Sequence, residues 1–303
     1  MSFRVVLIEN QVDVKVNLDN LVFKKDGREI RIPVSDISTI VIDNLKINIS
    51  VRTLCLLAQN NVGVVVCNQE HLPIGFYSSY DNHSRISKRI GYQINRSKAF
   101  YDELWEKIVK AKIENQGKVL ELLGHEEHNV ADVMSFSKEV QPGDPTNREA
   151  HAAKVYFSKM MGHSFSRGND NILLNSGLDY GYTIIRSYIA RLCVGYGLNS
   201  QLGIHHRSEY NRFNLVDDLI EPLRPVVDYY VCNLLDNEEF FTGEHRKSII
   251  NMLNHKIKYK EKNMYLCNMI EEYVSDVAKY IEGKDVVIKY PLVENYYGEQ
   301  DEI

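Results

Sequence analysis

The hydrophobic pattern changes period once, near residue 83, and no other feature constrains the fold as much. Before that point, short runs rich in β-branched residues dominate: Arg4–Ile8, Val12–Leu18, Leu21–Lys24, Arg28–Ile32 and Ile37–Ile42. Asp26-Gly27, between the third and fourth runs, is a hairpin signal. Ser50 stands as an N-cap before a helix-spaced segment, Val51–Ala58, and Val62–Cys67 and Pro73–Phe76 read as closing strands. After it, Leu, Ile and Tyr recur at i, i+3 and i+4 through 84–122, 146–161, 175–196, 214–234, 243–255 and 260–282. The pattern predicts an α+β protein: a small, mostly antiparallel β domain over 1–76, a polar linker over 77–84, a larger all-α domain over 85–290, and a flexible acidic tail over 291–303.

Composition narrows the class. The 303 residues are 44% hydrophobic and 25% charged, which excludes disordered and collagen-like chains. No apolar run approaches the roughly 18–20 residues that span a bilayer, and the N-terminus meets Arg4 and Glu9 too early for a signal peptide. The five cysteines lack any C-x-x-C pair and read as buried thiols of a cytoplasmic protein. The net charge of −5 hides an asymmetry, since residues 271–303 carry nine acids against three lysines. Residues 82–101 carry Arg85, Lys88, Arg89, Arg96 and Lys98, no acid, and interleaved Tyr92, Phe100 and Tyr101. Such a stretch is either a solvated helix face or a surface for nucleic-acid phosphates.

Three places could carry chemistry. Glu149 shares a helix face with Ala152, Ala153 and Tyr156; it is an inward ligand, or the second half of a Thr146-x-x-Glu149 capping box. His205 and His206 lie in a polar loop; adjacent rings rarely aim the same way, so at most one is a ligand, and both could be surface groups. Asp217, Asp218 and Glu221 follow Asn214 at a helix start, where acids also suit the helix dipole. Asp218 and Glu221 are one turn apart, and Glu221 could equally pair with Arg224. Together, carboxylates and one imidazole make a donor set for Mg²⁺ or Mn²⁺ rather than structural zinc. A hard cation near a basic, aromatic surface points to phosphodiester chemistry. The chain holds no P-loop, no G-x-S-x-G elbow and no H-E-x-x-H.

At these residues the chain resembles the universal CRISPR-associated integrase family, Cas-one, over nearly its whole length. The resemblance rests on Arg148-Glu149-Ala150 through Tyr156-Phe157, on Leu174-Asn175-Ser176-Gly177-Leu178-Asp179-Tyr180-Gly181-Tyr182, and on Gly203-x-x-His206 followed by Asp218-Leu219-x-Glu221-Pro222-Leu223-Arg224-Pro225. It implies that Glu149, His206 and Glu221 hold the metal and that Asp218 is a supporting acid of the catalytic site. It selects His206 over His205. It makes residues 85–290 the catalytic domain. In the basic stretch, helical spacing puts Arg85, Lys88, Arg89 and Arg96 near one side, to meet DNA phosphates, and leaves Ile86, Ile90 and Ile94 to pack.

Two features depart from the common pattern: the loop Arg207–Phe213, and Asp179 where a small or polar residue is usual. The loop and His205 together look like the type II-A branch. The implied activity is insertion of a short prespacer duplex into a CRISPR repeat by attack of a 3′-hydroxyl. The implied partners are DNA, a second copy of the chain, a dimer of the small Cas-two protein, and other type II-A adaptation proteins with the RNA-guided effector nuclease. A metal-dependent nuclease on branched or single-stranded DNA and a non-catalytic DNA-binding scaffold are the competing readings.

Overall fold

The computed structural model describes residues 4–25, 28–80, 83–162, 165, 167 and 173–296. The first part contains β1 (Arg4–Ile8), β2 (Asp13–Asn17), β3 (Asn20–Lys25), β4 (Arg28–Pro33), β5 (Ile37–Ile42), β6 (Asn48–Ile49), α1 (Val51–Gln59), β7 (Gly63–Cys67) and β8 (Pro73–Tyr77). Asp26 and Gly27 lie outside the described residues, but β3 and β4 pair antiparallel up to Lys25 and Arg28, as a hairpin requires. Ser50 caps α1, its side chain accepting from the Thr53 N–H.

Pairing in this domain is mixed rather than mostly antiparallel. One sheet runs β1-β5-β7-β8 and the other β4-β3-β2-β6. β5 pairs parallel with both β1 and β7, and β2 with β6. For β5 and β7 the reason is α1: a helix between them returns the chain to the same end of the sheet, which aligns the two strands parallel. Local alternation carries no information about that direction.

The second part contains α2 (Ile86–Asn95), α3 (Lys98–Leu122), α4 (Glu127–Glu139), α5 (Arg148–Met161), α6 (Leu173–Gly195), α7 (Asn214–Ile220), α8 (Arg224–Leu234) and α9 (Gly243–Asn251). It is completed by β9 (Lys256–Tyr259), β10 (Lys262–Tyr265) and α10 (Leu266–Glu282). The antiparallel β9–β10 pair corrects the all-α expectation, and residues 260–265 are not helical. Leu266 N bonds back to the His255 carbonyl, so α10 starts only after the hairpin closes. The predicted helix over 84–122 is broken at Arg96–Ser97, where Ser97 caps α3 by accepting from Phe100 N–H.

Buried α6 runs through the centre. Val41, Val65 and Cys67 of the first sheet share its core with Tyr180, Ile184, Tyr188 and residues of α3, α8 and α10. A Cβ on Gly181 would stand 2.6 Å from Val227 Cγ1, so glycine lets α6 and α8 touch. The expected flexible tail starts too early at residue 291. Asn115 of α3 donates to the Pro291 carbonyl (2.7 Å) and accepts from Val293 N (3.1 Å), and Val293 is fully buried. All five cysteines are free; Cys55 is exposed, which corrects its reading as buried. Among the described residues, no helix is long and apolar enough to cross a membrane.

Candidate metal and DNA site

Lys112 organises the site. It lies in mid-α3, only 6% exposed, and its ammonium contacts Glu149 and Glu221, carboxylates from two other elements. Burial disfavours its charge, but the attraction of Glu221 and Glu149 prevails, and its pKa lies above the ordinary lysine value. Glu221 is itself buried and opens a 3-10 turn, Glu221–Leu223, that continues α7. Burial would raise its pKa; Arg224, whose Nε donates at 3.0 Å, and Lys112 outweigh that and hold it near 2. One turn beyond Lys112, Asn115 donates to the Pro222 carbonyl at 2.9 Å and fixes the backbone after Glu221.

The capping-box reading of Glu149 does not survive. Asp144 caps α5, its carboxylate accepting from Arg148 N (2.8 Å) and Glu149 N (2.9 Å). Asn147, at the N-cap position, has φ +53 and makes no side-chain cap. The Glu149 carboxylate is therefore free to reach Lys112.

Asp218 takes a role distinct from Glu221. It is fully buried and accepts backbone N–H groups of Ile204 (2.5 Å), His205 (3.0 Å) and His206 (3.1 Å). It also accepts from His206 Nδ1 at 2.7 Å, which raises the imidazole pKa despite burial and leaves Nε2 as the atom for a ligand. The Gly203-x-x-His206 spacing follows from this wrap. A Cβ on Gly203 would strike the His206 carbonyl and stand 2.9 Å from Asp218 Oδ2. His205 points elsewhere, stacked on Trp105 with centroids 4.4 Å apart and planes 5° apart. Trp105 and Lys112 share one face of α3 at i and i+7.

Asp217 is a brace, paired with Arg186 at 2.5 Å and bonded by Asn211. The unusual Asp179 pairs with Arg167. Behind the site, Arg224 stacks on the Tyr182 ring at 4.6 Å, and Tyr182 and Tyr156 both donate to Asp228, whose pKa burial pushes up to about 6.

The structure thus brings Glu149 and Glu221 to one point and sets His206 on Asp218, where the charge of Glu221 reaches its ring. Among the described residues, no three His, Cys, Asp or Glu groups are arranged as a metal shell. The donors nonetheless fit a hard cation: two carboxylates, Glu149 and Glu221, already gathered around one positive charge, and an imidazole nitrogen fixed by its neighbour. Lys112, Asp144 and Trp105 were missed by sequence reasoning. A cavity of about 730 Å³ opens beside His206, lined by Tyr101, Arg207, Tyr210 and Arg212 among others.

The basic stretch is only partly open. Arg89 pairs with Glu282 at 3.5 Å, and Arg96 Nε donates to the Ile281 carbonyl at 2.7 Å in the last turn of α10. These contacts correct the expectation of one continuous DNA-facing side. A terminal helix carbonyl lacks an intrahelical donor, and Arg96 supplies one. Lys98 pairs with Asp102, and Ile94, expected to pack, is 64% exposed. Arg85 and Lys88 remain exposed. The double variant Arg85→Ala/Lys88→Ala is expected to weaken all duplexes alike and to lower the salt slope of binding by roughly two. Affinity titrated against salt checks this; an unchanged slope returns both to a solvated helix face.

The family model for CRISPR associated protein Cas1 matches residues 5–258. The chain belongs to the Cas1 family. A relative, the CRISPR-associated endonuclease Cas1 of Neisseria meningitidis serogroup C (strain 8013), is 32% identical over 288 residues, 94% of each chain. Among solved structures, a casposase bound to integration product superposes with TM-score 0.76 at 19% identity, covering 100% of this chain and 96% of that one. A Cas6-RT-Cas1–Cas2 complex gives TM-score 0.74 at 16% identity over 92% of this chain and 35% of that one. These two likenesses concern the fold.

Proposed function

We propose that this Cas1 chain is a metal-dependent integrase that joins the 3′-hydroxyl ends of a short prespacer duplex to a CRISPR repeat. The observation that supports it best is the convergence of Glu149 and Glu221, from α5 and the 3-10 turn, next to a His206 oriented by Asp218. Glu149, Glu221 and His206 Nε2 would hold Mg²⁺ or Mn²⁺, which when bound favours the deprotonated hydroxyl and offsets charge developing on the phosphate and leaving oxygens.

The chain's own residues do the rest. Asp218 keeps the imidazole in one tautomer and one direction. Arg224 holds the Glu221 carboxylate ionised. The cavity beside His206, with Arg207 and Arg212 on its wall, gives phosphates a cationic path to the site. Arg85 and Lys88 extend that path along α2 without reading sequence. A second copy of the chain, a Cas2 dimer and type II-A partners belong to the same proposal, as does action in the cytoplasm. The Cas1–Cas2 composition of one structural relative supports the Cas2 part.

The test is strand transfer with labelled duplexes carrying either free or blocked 3′ ends. Joined product from 3′-hydroxyl duplexes alone, dependent on Mg²⁺ or Mn²⁺, is expected. Cleavage of both substrates without joining would favour the nuclease reading, which the relative's name as an endonuclease keeps in view. Binding without either reaction would favour the scaffold.

A further inference from the structure

We propose that the Lys112 ammonium competes with the divalent cation for Glu149 and Glu221, and so sets how tightly the site binds metal. The inference rests on the metal reading above. Three observations carry it. Lys112 is buried in the middle of α3, between Ala111 and Ile113, which are buried too, where a lysine needs anionic partners to be tolerated. Its two partners are the two carboxylates assigned to the metal. The ammonium sits between them, in contact with Glu149 Oε1 and with Glu221 Oε2, on oxygens that a cation would take.

The charges explain why this matters. Without a cation, two carboxylates aimed at one point would repel each other and push α5 away from the Glu221–Leu223 turn. Lys112 and Arg224 balance those two negative charges, so Glu149 and Glu221 stay assembled. A doubly charged ion entering the same oxygens meets the ammonium as a like charge at close range. Lys112 therefore trades affinity for assembly: the site is held ready, and the metal is bound less tightly than its donors alone would allow. Lys112 is a positioning residue in this account.

The test is Mn²⁺ binding to the full-length protein, measured by calorimetry and by the paramagnetic signal of free Mn²⁺, together with thermal unfolding. Lys112→Met is expected to bind Mn²⁺ at least about tenfold more tightly than wild type, since a neighbouring like charge is removed. Its melting temperature without divalent ions should fall, and its rise with Mn²⁺ should exceed that of wild type. Lys112→Arg keeps the charge and should stay within about threefold of wild-type affinity. Should Lys112→Met be unfolded, Lys112→Gln in the same titration decides. Unchanged or weaker Mn²⁺ binding in the neutral variant overturns the competition while leaving the metal reading intact. No Mn²⁺ binding by wild type or variant overturns both.

Discussion

Glu221→Ala is expected to abolish strand transfer and to lower folding stability by about 3–5 kcal/mol, because it removes the buried partner of Lys112, leaving that buried cation only the more exposed Glu149, and takes from Arg224 its carboxylate. The two losses arise from one side chain: Glu221 is 4% exposed and contacts both cations. Glu149→Gln separates them. Its carboxylate is more exposed, Lys112 keeps Glu221, and Asp144 continues to cap α5. That variant should remain folded within about 1 kcal/mol of wild type, the scale of a partly exposed ion pair, while strand transfer falls at least about 100-fold. Denaturant melts and a gel-based joining assay on the same preparations provide both numbers. Near-normal joining by Glu149→Gln would remove Glu149 from the ligand set.

Asp218→Asn is the second large effect. The carboxylate is fully buried and gathers three backbone N–H groups and the His206 ring. Asparagine keeps one acceptor oxygen and turns an NH₂ toward donors. A loss of at least about 2 kcal/mol is expected, as for charge-assisted hydrogen bonds. Joining should drop about 10–100-fold, the usual penalty for removing the partner that orients a ligating histidine. His206→Ala should abolish joining with a smaller stability loss, since Asp218 still holds the loop backbone. His205→Ala should lose only its stack on Trp105, about 1 kcal/mol. Equal loss of joining in His205→Ala and His206→Ala would show that the ring assignment is reversed; full activity in Asp218→Asn would show that the loop holds without it.

Much of the frame was legible because it is written in nearest neighbours. Period 2 followed by period 3.6 separates β from α residues by local sterics alone. Ser50 and Ser97 cap because the orphan N–H groups lie three residues ahead of them. Gly203, His206, Asp218 and Glu221 were visible as one spaced motif, and the structure gives the spacing its cause: the loop folds onto Asp218 so closely that position 203 has no room for a Cβ.

What the sequence by itself determined is therefore the order and type of most elements, the α+β division and the candidate acids and imidazole. Strand direction, the β9–β10 hairpin and the anchoring of residues 291–296 were decided only by tertiary packing. So were the real partners of charged groups. A lysine in a helix of mixed polarity reads as solvated surface, yet Lys112 meets Glu149 and Glu221 across separations of 37 and 109 residues. Arg89 and Arg96 looked free because no acid is near them in the chain; α10 brings Glu282 and a helix-end carbonyl to them. A local pattern reports which face of an element is apolar. Which charge it will meet depends on where distant elements stop, and only the folded chain fixes that.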